Sequence, residues 1–568
     1  MDLRRLSLYL ALGIILVMLW TAWRHDYPAS SAAPSAGPPP AATNGASPSG
    51  QAPAGTGQPA RAGAAAARTA APVSLTAPSG ARVAIHTDTF DLTVALHGGA
   101  ITRATLLHYP RSEGSKKNVE LLGPGGDGGP FTLVAPQLSG AGIPATPVYT
   151  TKASSYTLAP GQQTLRVPLV WHGNGLTVTR TLVVKRGSYQ VKLETRVANA
   201  GGAPVRVSPG VRIVGANPLT AKHFWDHFLP KYWAYRGPAY YDGSYEKKPA
   251  QSLAGSPLDK HLAGGWIATV RQYFVAAAIP PSQGKAHYSA RAVDGQGYVI
   301  AYSGPPMRVA AGARSETSTE LFLGPKKQDL LGGLAPGLSR TVDYGKATII
   351  SKPLFWLLSR IHGLLGNWGW SIILLVLLIK AVFYWPQRVG ARSMAKMRKL
   401  QPRLKILQER YKDDKQKLSQ ATMELYRKEG ANPVSGCLPM LIQIPIFFGL
   451  FEMLVHSVEL RQAPWVLWIT NLTAPDPYFI LPAIYAVLTL VQFRLQPQAA
   501  SGAQAKMMMF MPLLFSVFYA ILPSGLVLYY LLNTFLTIAI QYQVNRELGM
   551  KGLGILPESL NPFARKRG

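Results

Sequence analysis

Ser371-Ile-Ile-Leu-Leu-Val-Leu-Leu-Ile379 is an unbroken apolar run, and Lys380 follows it directly. A lone ammonium at that depth costs about 3 kcal/mol on insertion scales and more in simulations, so it persists only where it faces a wet or protein-lined cavity. Lys380 is therefore a candidate functional residue. A lysine snorkelling its amine to the headgroups is the plainer alternative. Similar apolar segments recur downstream, so this part of the chain reads as an α-helical membrane core.

The rest of the composition agrees. A chain of 568 residues with 54 Gly and 46 Pro exceeds one core and must be a multi-part membrane protein. Its formal charge of +31 favours anionic lipid or RNA as neighbours. Cys437 is the single cysteine, which excludes a disulfide framework and any zinc site built from several cysteines; in its apolar segment it reads as a small packing residue. No metal or cofactor is expected.

Upstream of the run, Leu6 to Trp23 carries no formal charge and follows Arg4 and Arg5, so residues 1–27 read as an uncleaved signal anchor. Cleavage near Ala29 to Ala33 is the alternative. Residues 28–80 are almost wholly Ala, Pro, Gly, Ser and Thr, a tether that cannot bury enough apolar surface to order. Across 81–345 the pattern changes to period two. Val191, Leu193, Thr195 and Val197 alternate with Lys192, Glu194 and Arg196, and Leu92, Val94 and Leu96 do the same, which predicts a large antiparallel β-sandwich.

Residues 346–568 hold the membrane core. An amphipathic stretch at 351–363, with Pro353 at its first helical position, predicts a helix lying in the membrane interface. Five spans are then expected, near 364–385, 434–456, 478–493, 507–522 and 526–542; three of them are at the short end for a core roughly 30 Å thick, so local thinning is expected. The stretch 387–430 carries 13 Lys+Arg against 5 acids, and Arg565-Lys566-Arg567 lie near the end. The connection 457–477 is poor in cations. The positive-inside rule then makes the 387–430 hairpin and both termini cytoplasmic and puts the β domain outside.

Within 387–430, Met394, Met397, Leu400, Leu404, Leu407 and Tyr411 and then Leu418, Ala421, Leu425 and Tyr426 predict two amphipathic helices folded back on each other. Their cations Arg392, Lys396, Arg398, Lys399, Arg403 and Lys405, with Arg565, Lys566 and Arg567, are candidate contacts for anionic headgroups or RNA, against the plainer reading of a solvated face. Inside the spans, Gln443 lies between two prolines, and Tyr530, Asn533 or Thr534, Thr537 and Gln541 fall on one face of the last span. Interhelical hydrogen bonding accounts for such a stripe on its own; with Lys380 nearby, a hydrated groove opening toward the cytoplasm is the sharper reading. Glu452 should lie nearer the outer face, a poor partner for Lys380. His223 and His227 precede the aromatic residues Tyr232, Trp233, Tyr235, Tyr240 and Tyr241, a packed or partner-binding loop more than a metal site. Neither a nucleophile elbow nor a phosphate-binding glycine loop occurs, so catalysis of bond chemistry is unsupported.

Asn367-Trp-Gly-Trp-Ser371, Ser393-Met-Ala-Lys-Met-Arg398, Leu400-Gln-Pro402, Asp413-Asp-Lys-Gln416, Asn432-Pro433, Ser457-Val-Glu-Leu-Arg-Gln-Ala-Pro464 and Pro523-Ser-Gly-Leu-Val-Leu-Tyr-Tyr530 closely resemble the YidC membrane-protein insertase family of Gram-negative bacteria. Phe90-Asp-Leu-Thr93, Gly98-Gly99 and Val342-Asp-Tyr-Gly345 resemble its periplasmic domain. The resemblance implies a non-enzymatic inner-membrane insertase and chaperone whose core helices enclose a hydrophilic groove, closed to the periplasm and open to cytoplasm and lipid. Lys380 stands where the family has one positive residue, usually arginine, and Val376 where it has a groove threonine; Gln443 and the Tyr530 face match. An acidic client tail would then be held by Lys380, Gln443, Tyr530, Asn533, Thr534, Thr537 and Gln541 while its hydrophobic segment slides along Met507, Met508, Met509 and Met511. Nascent membrane proteins, the Sec translocon with its accessory components, the ribosome and anionic phospholipids are the implied partners. Two rivals remain at this stage: a small-anion transporter or channel using the same cavity, and a membrane-tethered periplasmic carbohydrate-active enzyme.

Overall fold

The structure, a computed structural model, describes residues 80–123, 132–216, 234–281, 284–293, 297–412, 414–431, 433–495 and 517–550, apart from the side chains at 415, 433–440 and 494. The anchor at 1–27, the linker up to Ser79, His223, His227, Tyr232, Trp233, Met507, Met508, Met509, Met511 and the tail cations Arg565, Lys566 and Arg567 lie outside the described residues, as does the side chain of Cys437.

Period two in the sequence becomes strands with one buried face. In Gln190–Asn199, Val191, Leu193, Thr195 and Val197 are buried while Lys192 and Arg196 face solvent. This strand lies in an eight-stranded sheet, in the order Tyr245–Lys247, Gly237–Tyr241, Trp266–Val270, Phe274–Ile279, Arg314–Pro325, Gln190–Asn199, Leu176–Lys185 and Thr164–Gly173. An eleven-stranded sheet covers its inner face, with Val205–Ala216 and Thr132–Gly140 paired at its centre. Val83, Ile85, Leu92 and Ile101 of one sheet share a core with Val178, Leu182, Val191 and Leu193 of the other. Each such aliphatic side chain contributes about 1.5–3 kcal/mol through burial. The antiparallel sandwich expected at 81–345 is present, with one parallel pairing among the described strands, Arg82–His86 with Ser155–Thr157.

After a short helix α1 (Gln328–Gly332) the chain becomes helical: α2 (Thr348–Leu365), α3 (Trp368–Val382), α4 (Tyr384–Lys399), α5 (Gln401–Arg410), α6 (Lys415–Lys428), α7 (Pro433–His456), α8 (Ile480–Leu495) and α9 (Ser524–Glu547). α2 begins earlier than expected, so Pro353 is inside the helix and not at its first position. There, as the sixth residue, it withholds the bond to the Ile349 carbonyl one turn back. Gly366, in the left-handed conformation at φ 68°, closes α2, and Asn367 caps α3 by accepting from the amides of Gly369 (2.9 Å) and Trp370 (3.2 Å).

The span expected at 364–385 is shorter and broken. α3 stops at Val382, and α4 leaves it at 69°. Pro386 explains the break, because it has no N–H for the Val382 carbonyl one turn back. The two-helix hairpin expected at 387–430 is accordingly three helices. α4 belongs partly to the core, where Ala391 and Ala395 pack on Val544 of α9. Its far end, at Met397 and Leu400, meets Tyr426 and Ala431 beyond a second break before Pro402.

Sandwich and bundle share one apolar cluster. Trp266, Ala268 and Val275 of the eight-stranded sheet pack through Leu331, Leu338, Val342 and Tyr344 onto Phe355 and Leu358 of α2, continuous with Leu375 of α3, Leu454 of α7 and Leu526 of α9. Val458, just past α7, is buried in the sandwich core itself. Arg461 donates to the carbonyls of Pro110 (2.7 Å) and Arg111 (3.0 Å), and Gln272 donates to that of Val455 (3.1 Å). The outer ends of α3, α7 and α9 are thereby fixed on the sandwich side.

Candidate functional site

Both helices that carry the central polar groups start from the sandwich side. Asn367, before α3, donates to the carbonyls of Pro464 and Trp465, and Ser524, opening α9, donates to that of Asn471. From there Lys380 lies twelve residues along α3 and Thr537 thirteen along α9, so at 1.5 Å per residue both sit about 18–20 Å from the starts of their helices.

At that level the two side chains meet. Lys380 is buried, 7% exposed, and its Nζ donates to Thr537 Oγ1 at 2.8 Å and to Gln387 Oε1 at 2.9 Å. The amine points into the bundle, toward α4 and α9. Thr537 in turn donates to the Asn533 carbonyl at 2.7 Å, leaving its oxygen lone pairs for the amine. Among the described residues no carboxylate pairs with Lys380; both acceptors are neutral. One turn further along α9, Gln541 donates to the Ala391 carbonyl (3.3 Å) and to Asn545 Oδ1 (3.1 Å). α4 is fastened beside it by Tyr384 to Gln543 and by Arg388, which makes two bonds of 2.9 and 3.0 Å to Glu547.

The remaining predicted groove residues form a second level. Gln443 donates to the hydroxyl of Tyr529, eight residues and about 12 Å along α9 from Thr537. The structure does not bring Gln443 into contact with Lys380. Tyr530 is buried among Phe447, Tyr485, Tyr519 and Tyr529, with ring centroids 5.0–6.1 Å apart. Thr534 is buried and Asn533 partly so. Gln387 and Tyr529 were not singled out by sequence. A signal for Gln387 existed in Pro386, whose missing N–H marks the bend that returns the next residue to Lys380.

Of the six hairpin cations, three are engaged within the chain: Lys396 with the Gly430 carbonyl, Lys399 with that of Leu548, and Arg403 with Glu429. Arg392 and Lys405 are exposed, and Arg398 is half-buried. Glu452 lies at the sandwich end of α7, 3.2 Å from His456 Nδ1, far from Lys380. In the sandwich, a cleft of about 530 Å³ is lined by Arg166, Lys192, Glu194, Arg196 and Glu316. Its carboxylates are already ion-paired, Glu194 with Arg166 and Lys192, Glu316 with Arg196. No group of three or more metal-binding side chains occurs among the described residues.

α9 is long and apolar enough to cross a membrane, α3 and α4 pass that test together as a bent pair, and Leu441–His456 and Ile480–Phe493 are shorter apolar helices. Apolar helices that bury a cation, with a β-sandwich fused to one end of the bundle, define a helical-bundle protein that keeps polar groups inside its helices. Residues 360–551 match the family model described as 60Kd inner membrane protein, and residues 82–357 match that of the YidC periplasmic domain. A relative from Methylococcus capsulatus, "Membrane protein insertase YidC", is 39% identical over 96% of this chain and 99% of its own. Another of that name, from Thioalkalivibrio sulfidiphilus, is 37% identical over 97% and 100%. A crystal structure of an active YidC insertase aligns over 82% of this chain and 93% of its own at 19% identity, with a TM-score of 0.37. On the sequence matches, the chain belongs to the YidC membrane protein insertase family.

Proposed function

We propose that this chain inserts client membrane proteins into the inner membrane by offering their polar outer tails a charged resting place at Lys380. The observation that carries this reading is the neutral company of the ammonium: held by Gln387 and Thr537 alone among the described residues, it keeps a net charge for a passing carboxylate. Two opposite charges 4 Å apart attract by about 4 kcal/mol at the effective dielectric of a protein site near water, so even a brief pairing lowers the barrier to moving an acidic tail inward from the cytoplasm. Bond chemistry is not needed; the protein is an insertase and not an enzyme.

Gln443 with Tyr529, and Thr534 beside Tyr530, serve as a second polar station nearer the sandwich, with Gln541 and Asn533 framing the first. The methionines at 507, 508, 509 and 511 are adaptable contacts for the client's apolar segment. In this arrangement five spans and the anchor place both termini and the α4–α6 helices in the cytoplasm, where Arg392, Arg398, Lys405 and the tail cations Arg565, Lys566 and Arg567 meet ribosomal RNA or anionic headgroups. The sandwich faces the periplasm and accessory Sec components. Reconstitution into liposomes tests the reading: insertion of a short single-span client with an acidic tail supports it, whereas small-anion flux without insertion supports a transporter.

A further inference from the structure

We infer that Gln387 sets the charge preference of the Lys380 site, its amide oxygen holding the amine in place without neutralising it. This rests on the reading of Lys380 as the receptor for acidic tails. In an unbroken helix the residue seven positions on would lie about 10.5 Å away along the axis. The 69° turn between α3 and α4 instead lays Gln387 against Lys380, at 2.9 Å. The contact is held from outside as well, since Tyr384, three residues before Gln387, and Arg388, next after it, are tied to Gln543 and Glu547 of α9.

An ammonium has three protons to give. Gln387 and Thr537 take two, and the Thr537 hydroxyl proton is already committed to the Asn533 carbonyl, so that hydroxyl keeps its lone pairs toward the amine. The third proton is left for a client carboxylate. A neutral amide is the group this task requires. Glutamate is nearly the same shape, but at this distance it would form a charge-assisted pair and occupy the ammonium permanently. Gln387 is therefore a specificity-determining residue: it decides whether the site presents a cation or a silent ion pair.

The test uses the full chain in liposomes and two single-span clients that differ only in an acidic or neutral outer tail. Gln387→Glu is expected to lower insertion of the acidic client at least tenfold while the neutral client inserts as before, which also reports that the variant is folded. Gln387→Met, of similar length and uncharged, removes the acceptor without adding a charge and is expected to lower the acidic client less than Gln387→Glu does. Lys380→Glu run in parallel separates the two levels of inference. If Lys380→Glu impairs the acidic client and Gln387→Glu does not, Gln387 has no such role although charge recognition stands. If Gln387→Glu lowers both clients equally, it acts only on structure and the inference is overturned. If Lys380→Glu leaves both clients unaffected, charge recognition fails and the role of Gln387 fails with it.

Discussion

Replacing Arg461 with alanine should loosen the joint between sandwich and bundle without unfolding either. Its guanidinium bonds the carbonyls of Pro110 and Arg111 and lies 5.7 Å from the ring centre of Phe274 and 6.0 Å from that of Tyr273. Hydrogen bonds to charged groups contribute about 1.5–3 kcal/mol when buried, and about 1 kcal/mol each is appropriate here because the group is only half-buried. The ring contacts add about 0.5–1 kcal/mol. Gln462, 3.2 Å from the same Pro110 carbonyl, keeps that acceptor satisfied in the variant. The net loss is therefore about 2–3 kcal/mol, which raises local opening of the joint roughly 30- to 150-fold. Amide hydrogen exchange in detergent reads this directly. Exchange should quicken at the Pro110 end of Ile101–Pro110 and around Val458–Leu460, while Leu176–Lys185 and Gln190–Asn199, deep in the sandwich, stay as slow as before. Arg461→Lys should fall between. Unchanged exchange at the joint, or uniform acceleration across all strands, would refute the reasoning.

Lys380→Arg should insert clients normally, because charge and not a forked geometry is what the site offers; Lys380→Glu should lower insertion of acidic-tailed clients by tenfold or more, and equal insertion by all three versions removes charge recognition. Gly369→Ala should cost about 1–3 kcal/mol, since the added methyl runs into the Trp465 ring packed at the start of α3; an unaltered melting temperature shows that ring is free to move. Burial pushes the Glu459 carboxyl up to about 7 from 4.5, so the folded state binds the extra proton and stability falls as pH rises from about 4.5 to 7. Burial pushes the Lys326 ammonium down to about 7 from 10.5, so the unfolded state binds the extra proton and stability rises from about pH 7 to 10.5. Together these two groups place a stability minimum near neutrality; Glu459→Gln should flatten the acid limb and Lys326→Met the alkaline one in melts taken across pH.

The sandwich was legible because strand period and burial coincide, as in Val191 to Val197, and Lys380 because a charge ending an apolar run demands a reason. Thr537 followed from helical spacing on α9. Gln387 did not, since apolar counting carried the span straight on to Trp385 and treated the next polar residues as exterior. Which of the adjacent tyrosines faces Gln443 depends on how α7 crosses α9, and neighbouring helical residues differ by 100°, so Tyr530 was favoured where Tyr529 makes the bond. Arg180 shows a different limit. Its strand alternates Val178, Arg180 and Leu182 inward, and nothing local in the sequence says what would hold a cation there. It is 1% exposed, beside the Tyr149 ring and the carbonyls of Gly98 and Pro136, contacts that depend on strands distant in sequence.

Trp266 and Val458 belong to stretches of chain made far apart in time. During synthesis the strands emerge first, with Trp266 and Leu338 still uncovered and the place for Val458 vacant. Only when α2 and then α7 have been laid down does the sandwich gain its last wall, so its final cohesion arrives late and is supplied by the helices that follow it in the chain. A ribosome halted before α7 should therefore display a protease-sensitive sandwich that hardens once the chain is finished.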